Sequence, residues 1–587
     1  MTNQEIARCL RQTADLLEIA GEDGFRIRSY RRAADAVEGC AEPVAGMAAD
    51  PKRLQALPGI GRTMSGHILE LVSSGELSLR QELLARFQPG MLDLLQVSGL
   101  GPKTVALIWS TFGAGTLDAV EALAREGKLR TLPRLGGKAE EKILRGIGVY
   151  RELSGRFRRD QAAEVLAVVQ PYLERAPGVE AVTIAGSYRR GKETVGDLDV
   201  VLSGAGFPAS GAAAREAVLR MPRVENILGQ AENKISLRLH GGMQVDVRLL
   251  PPESAGAALQ YFTGSQAHNI ALRARAQKLG FKLNEYGLIR IEDGAMAAGA
   301  DEAGIYAALG LAWIPPELRE DAGELEAAAT ASLPQLIVPS DIRGDVHMHT
   351  TASDGRASIE EMAEAAWERG YAYIAITEHS QALAMANGLN ETRMLEHRDR
   401  IRAAEQVVQQ RHPGFRIFTG VEVDILADGG LDLEDAVLAQ LDVVIGSIHS
   451  RFDQSLEETT ARLLRAVANP HLGILGHPSG RLLLRRPAYT CDFERVAAAC
   501  ATQGVAMEIN ASPERLDIND VQARRCRQLG VGVVINTDAH HPRHLDNIVY
   551  GIATARRGWL EAGDVLNTLP AEEFLQRLRR RASAPRP

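Results

Sequence analysis

The sequence predicts a multi-domain protein: a helical N-terminal region, a central α+β unit, and a C-terminal barrel of alternating strands and helices. Three observations carry that expectation. Turns of the form Leu57-Pro-Gly-Ile-Gly61 recur before helical runs in the first 150 residues. A strand–turn–strand pattern from Val182 to Leu202 sets Asp197 and Asp199 two residues apart. Seven short apolar runs between 342 and 536 alternate with helical segments, and 11 of the 14 histidines lie between His347 and His544.

The chain has 587 residues, enough for about three to five domains by length alone. Hydrophobic content of 45% and charged content of 24% are those of an ordinary globular protein. No apolar run approaches the ~18 residues needed to cross a membrane. The N-terminus, MTNQEIARCLRQ, reads as polar and helical, so a signal peptide is not expected there. Cys9, Cys40, Cys491, Cys500 and Cys526 are scattered with no C-x-x-C pair, so reduced thiols and a cytoplasmic setting are expected. The net charge is −8, but residues 51–290 hold 32 basic and 23 acidic side chains, whereas 291–340 hold one arginine and nine acids. A basic body is thus followed by an acidic stretch, and basic segments attract phosphate backbones.

In chain order, Gln4–Ala20 and Ser29–Glu38 read as helices. The turn at Leu57–Gly61 precedes a helical run at His67–Ser73. Val97-Ser-Gly-Leu-Gly-Pro-Lys103 repeats it, and Leu132-Pro-Arg-Leu-Gly-Gly-Lys138 is a degenerate third copy. Glycines here expose backbone N–H groups at a helix N-terminus, where a phosphate can be cradled without reading sequence. These turns resemble helix-hairpin-helix elements, with Gly59, Gly61, Gly99, Gly101 and Lys103 as DNA-backbone contacts.

On a strand, residues two apart share a face, so Asp197 and Asp199 project side by side. Adjacent carboxylates repel unless a cation lies between them, and hard divalent ions take such oxygens together with substrate phosphates. Asp246 supplies a third carboxylate, on a run that follows Lys234–His240 across Gly241-Gly242, a hairpin signature. Residues 319–340 turn acidic, then alanine-rich, then proline-containing, and read as a linker.

Beyond them the apolar runs Ile342–Met348, Ala372–Thr377, Ile417–Val423, Val443–Ile448, Leu472–Leu475, Val505–Ile509 and Val533–Asn536 alternate with helices such as Ser358–Arg369, Thr392–Gln410 and Leu456–Ala468. This alternation implies a parallel sheet, and seven units suggest a barrel with its chemistry at the C-terminal ends of the strands. Polar residues fall there: His347, His349, Asp354, His379, Glu422, His449, His477, Asp538 and His540. Imidazole and carboxylate without thiolate suit zinc, manganese or iron, and nine ligands imply two or three ions. Arg451 and Arg481 follow two of these strands and are candidate phosphate contacts.

The central constellation resembles the palm of the family X, polymerase-beta-like, DNA polymerases, and the last third resembles the PHP phosphoesterase domain. The first resemblance extends to Tyr261-Phe-Thr-Gly-Ser265 and to Asn269 and Arg273. It implies a catalytic triad of Asp197, Asp199 and Asp246 holding Mg²⁺ or Mn²⁺. It implies nucleotide contacts from Ser187, Arg190, Gly196, Tyr261, Phe262, Gly264, Asn269 and Arg273, with Arg156 as an extra triphosphate contact. The second fills all nine ligand positions of the PHP site with two or three Zn²⁺, Mn²⁺ or Fe ions.

Together they imply a helical DNA-binding domain at 1–85, a second helix-hairpin-helix domain at 86–150, a nucleotidyltransferase palm at 151–255, a nucleotide-selecting α+β subdomain at 256–318, a linker at 319–340, and a distorted (β/α)7 PHP barrel at 341–587. The implied function is template-directed filling of short gaps in DNA repair. A 3′→5′ exonuclease and abasic-site cleavage would belong to the barrel. The implied partners are gapped or primer–template DNA and deoxynucleoside triphosphates, with no membrane, acting as a monomer. A non-templated nucleotidyltransferase with a histidinol-phosphatase-like barrel, and a DNA-binding scaffold with inactive sites, are the alternatives. The family often carries a lyase lysine in its first domain. Here His67 stands at that position, and an imidazole forms no stable imine.

Overall fold

The computed structural model describes residues 1–579 apart from 2, 39, 41, 49, 89 and 98, so Ser98 of the second glycine turn and residues 580–587 of the barrel domain lie outside the described residues. The chain divides into two compact units, one of Met1–Ser154 with Leu484–Arg486, the other of Gly155–Leu483 with Pro487 onward.

The first unit is helical among its described residues. Asn3–Ile19 and Gly24–Glu38 are amphipathic and bury Leu10, Ala14 and Leu17 against a core that includes Ala33, Ala34 and Val37. All three glycine turns feed helices, Arg62–Ser74, Pro102–Phe112 and Gly137–Leu153. Gly59 and Gly99 adopt φ +81° and +98°, which glycine reaches without strain. In the third turn Arg134 takes φ +68° at the same point, at a cost of about 1–2 kcal/mol. The degenerate copy is therefore a true turn of the same geometry.

In the second unit the strand Phe157–Arg158 and the helix Arg159–Leu173 precede a five-stranded sheet ordered Ala181–Ile184, Asp197–Ser203, Gln244–Leu250, Lys234–Leu239, Val224–Gln230. Asp197–Ser203 and Gln244–Leu250 are parallel neighbours, and their register sets Asp199 beside Asp246. Leu198 and Val200 alternate into the core, which turns the aspartates to the opposite face. The helices Ala255–Thr263 and Gln266–Lys278 follow, then a three-stranded antiparallel sheet.

The segment 319–340, expected as a linker, is folded and packed. Arg319 and Glu324 are fully buried, and Glu324–Ala329 is helical. Arg319 donates to Glu302 at 2.6 and 3.1 Å, and His268 Nδ1 donates to Glu324 at 2.6 Å. The acidic stretch read as a linker instead places Glu324 against the buried His268 imidazole and Arg319 against the buried Glu302.

The barrel holds seven parallel strands in sequential order, Gly344–Asp345, Tyr373–His379, Arg416–Asp424, Val443–Ser447, Ile474–Leu475, Ala506–Asn510 and Val533–Asn536. A parallel bridge between Met348 and Ala539 ties the last segment back to the first, so the barrel is nearly closed. The first strand is shorter than its apolar run because side chains replace the ladder: the N–H of Val346 donates to Asn536 and that of His347 to Asp345. The longer helices between strands start on side-chain caps, as where Ser358 and Glu361 exchange hydrogen bonds at 3.1 and 2.7 Å.

Candidate functional sites

The central sheet builds the first site. Gly186 opens the short helix Gly186–Arg189, with φ +66°, and a Cβ there would lie 2.4 Å from Asp199 Oδ2. Burial first, then the charges of Asp197 and Asp246, push Asp199 up to about 7. Burial acts on Asp246 too, but Lys234 Nζ at 2.8 Å and Gln244 Nε2 at 3.0 Å outweigh it and hold its carboxyl below the usual range. A carboxylate that retains its proton toward neutrality beside two others marks an acidic cluster that Lys234 neutralises only in part, and a hard divalent cation fits it. Lys234 and Gln244 are direct partners of Asp246 that the sequence reading missed. Lys234 lies on the strand hydrogen-bonded to Gln244–Leu250, with Ser236 paired to Asp246.

The nucleotide candidates gather on elements around this face. Ser187 and Arg190 follow Gly186. Arg190 Nε donates to Glu320 at 3.1 Å, and its Nη1 donates to the Thr263 carbonyl. Arg156 is held by Thr194 Oγ1 at 2.9 Å and the Thr194 carbonyl at 2.7 Å, and a Cβ on Gly196 would lie 4.0 Å from its guanidinium. Tyr261 and Phe262 meet edge to face with centroids 5.1 Å apart, Arg248 stacks 4.2 Å from Phe262, and Arg273 lies 6.0 Å from the Tyr261 centroid. Gly264 has φ +69°. Asn269 is fixed from both ends, accepting from Gln260 at 2.8 Å and donating to the Tyr261 carbonyl at 2.7 Å.

In the first unit, Gly61 and Gly101 cap their helices without a side-chain hydrogen bond, leaving N–H groups open. Lys103 is exposed in the first turn after Gly101. His67 Nδ1 lies 2.9 Å from the Tyr30 hydroxyl with the rings stacked, and burial lowers its pKa.

The barrel rim gathers all nine predicted ligands. His349, Asp354, His379 and His540 offer atoms within 4.8 Å of one another, as do His347, His349, Glu422 and Asp538, and again His379, Glu422 and His449. His477 Nε2 joins them at 2.8 Å from Glu422 Oε1. Burial disfavours a charged imidazole, yet Glu508, Asp538 and Glu422 hold His347 well above its ordinary value. Burial, then His379 and His540, push His349 down to about 4. His449 is up at about 10 despite burial, held by Glu422 and Asp424. Glu422 and Asp538, though buried, are held well below the carboxylate range by the surrounding imidazoles. His347 Nε2, His349 Nδ1, Glu422 Oε2 and His477 Nδ1 are buried without a hydrogen-bond partner. Buried polar atoms left open around common points, with this donor set, fit metal ions.

Behind the candidate ligands stand further buried carboxylates, of which Glu508 was not singled out in the sequence. His347 Nδ1 donates to the buried Glu508 at 2.7 Å, which also accepts from Asn536 and from the His477 N–H. Glu378 accepts from the Thr350 N–H at 3.0 Å. A carboxylate facing inward on an apolar strand, as in Ala506-Met-Glu-Ile-Asn510, was the available signal. Arg481 is not free for phosphate: it binds Glu193 at 3.2 and 2.6 Å and the Arg515 carbonyl at 3.0 Å. Arg451 is exposed with φ +55°.

The fold and sites define a class: a carboxylate-triad nucleotidyltransferase fused to a barrel with a multi-histidine metal site. Family models agree along the chain, as a helix-hairpin-helix domain at 1–77, a SAM-like helix-hairpin-helix tandem at 91–148, a DNA polymerase beta palm at 156–230, a DNA polymerase beta thumb at 258–320 and a PHP domain at 345–512. A Bacillus subtilis protein named DNA polymerase/3′-5′ exonuclease PolX is 36% identical over 582 residues, 98% of this chain and 100% of that protein. Rat DNA polymerase lambda is 26% identical over 54% of this chain and 56% of its own. A Thermoanaerobacter protein named probable phosphatase is 29% identical over 38% of this chain and 89% of its own. The chain belongs to the family X DNA polymerases that carry a C-terminal PHP domain. Asp246, Asp538 and His540 fall beyond the matched palm and PHP spans, and it is the strand register and the barrel rim that bring them to the sites.

Proposed function

We infer that this protein is a template-directed DNA polymerase that fills short gaps in DNA repair, and that its barrel is a metal-dependent 3′→5′ exonuclease with activity at abasic sites. We place it in the cytoplasm as a monomer; its five free cysteines are in keeping with a reducing setting, and among the described residues no helix is long and apolar enough to cross a membrane. The observation that carries the reading is the coexistence of an aspartate cluster, with Asp199 in register beside the buried Asp246, and nine converging imidazole and carboxylate side chains on a separate barrel rim.

At the first site Asp197, Asp199 and Asp246 would hold Mg²⁺ or Mn²⁺, which supplies charge neutralisation for nucleotidyl transfer. Ser187, Arg190, Gly196, Gly264 and Arg156 would orient the triphosphate. Asn269, Arg273, Tyr261 and Phe262 would hold the sugar and nascent base pair. The glycine turns would bind DNA phosphates without sequence preference. At the second site the nine ligands would hold two or three Zn²⁺, Mn²⁺ or Fe ions, which supply an activated water and charge for the departing oxygen.

The test is extension of a gapped duplex with Mg²⁺ or Mn²⁺ beside a scrambled-template control. Incorporation that follows the template is expected. Incorporation indifferent to template would replace this reading with a non-templated transferase, and none at all would leave a binding scaffold.

A further inference from the structure

The loop after Ala506–Asn510 carries an arginine that neither metal chemistry nor folding of the strand requires. Arg515 Nε lies 3.7 Å from Asp538 Oδ2, so its guanidinium sits at the edge of the ligand cluster, with 20% of the side chain exposed. Asp538 also accepts from Asn510 at 3.1 Å, and that bond already orients it. At 3.7 Å the arginine is not needed as a hydrogen-bond donor to Asp538. It is a planar cation held just outside the ligands and open to the rim.

The loop is braced on both sides. Asp517 accepts from the Ser479 N–H at 3.1 and 3.0 Å, and the Ile518 N–H donates to the Glu508 carbonyl at 3.0 Å. From the palm, Arg158 donates to Glu514 at 2.6 Å. Glu193, in the turn between Arg190 and Asp197, binds Arg481, whose Nε donates to the Arg515 carbonyl at 3.0 Å. Arg515 is thus fixed on its main chain within the barrel, its carbonyl accepting from Arg481 at 3.0 Å and its N–H donating to the Ser512 carbonyl at 2.8 Å, and palm residues brace the neighbouring Glu514 and Arg481.

We propose that Arg515 is a catalytic residue of the barrel, donating to a non-bridging oxygen of the scissile phosphate. This rests on the nuclease reading of the PHP site. In that reaction a water oxygen bonds to phosphorus, the bond from phosphorus to the 3′ oxygen breaks, and that oxygen leaves with a proton. The products are a nucleoside 5′-monophosphate and a shortened 3′-hydroxyl end. Negative charge grows on the non-bridging oxygens as the water adds, and a guanidinium fork matches two of them.

The experiment uses full-length, manganese-loaded protein and thymidine 5′-(p-nitrophenyl phosphate), a small phosphodiester that does not depend on the helix-hairpin-helix turns. Arg515→Ala should keep the wild-type metal content by elemental analysis and lose about 10²-fold in kcat/KM, the usual cost of removing one donor to a developing oxyanion. Calorimetric affinity for thymidine 5′-monophosphate, counted as the part abolished by His347→Ala with His349→Ala, should fall at least about tenfold. Added guanidinium ion should restore turnover to Arg515→Ala but not to Arg515→Lys. Loss of metal together with turnover in Arg515→Ala, or turnover within about threefold of wild type, would overturn the proposal and leave Arg515 as a counter-charge for Asp538. A wild type that hydrolyses nothing would defeat the nuclease reading itself.

Discussion

Replacing Gly186 by alanine should cripple nucleotide addition and leave the nuclease untouched. An added Cβ would lie 2.4 Å from Asp199 Oδ2 and 3.3 and 3.4 Å from its Cγ and Cβ. Ordinary contacts are about 3.5 Å, so the carboxylate must swing away by roughly 1 Å. Its strand is hydrogen-bonded on both sides and cannot follow. The left-handed backbone adds about 1–2 kcal/mol of strain. A misplacement of that size at a reacting centre costs about 10²-fold, or roughly 3 kcal/mol of barrier. Gly178→Ala is the matched control, because Gly178 also has a positive φ, +77°, but its nearest neighbour is the Phe207 ring at 3.5 Å. Single-nucleotide extension on a gapped duplex, with thermal denaturation of both variants, separates the two effects. If Gly186→Ala extends as fast as Gly178→Ala at equal stability, the placement of Asp199 is not what the triad depends on.

Three further outcomes follow from the same geometry. Because Asp199 is raised to about 7, the folded metal-free site keeps a proton that the unfolded chain has lost. Its contribution to stability therefore falls as pH rises from about 4 to 7 and is flat above, and the Mg²⁺ needed for half-maximal extension should rise about tenfold per unit below pH 7. A requirement unchanged between pH 8 and 6 would contradict this. Asp246→Ala should abolish extension while sparing DNA binding and digestion, measured on one labelled duplex, and near-normal extension would remove Asp246 from the site. Borohydride should trap almost no adduct on an abasic 5′ end, since His67 offers only an imidazole, already engaged at 2.9 Å by Tyr30. Efficient trapping at the exposed Lys52 would show that another amine serves.

The periodic parts of the chain were legible in its letters. Alternation of apolar and polar residues gave the triad strands, and seven apolar runs gave seven parallel strands, because burial dictates those patterns. The nine candidate ligands on the rim were readable because imidazoles and carboxylates gathered at strand ends have few structural uses. What the sequence hid was pairing over distance. Glu324 and Arg319 looked like an acidic linker, and only the fold brings His268 and Glu302 to them. Lys234 looked like an ordinary strand residue until hairpin register laid it against Asp246. Arg481 looked like a phosphate ligand, and Glu193, 288 positions away, claims it.

The central claim is that one chain holds two separate metal-dependent active sites. It is tested most directly by His347→Ala combined with His349→Ala, which removes two ligands from the barrel while leaving the palm intact. Bound transition metal by elemental analysis, digestion of a 5′-labelled primer and template-directed extension should be measured on the same preparation. Metal and digestion should be lost together, with extension at the wild-type level. Digestion as fast as wild type would show that the nuclease does not reside on this rim, and loss of extension alongside it would show that the two sites are not separate.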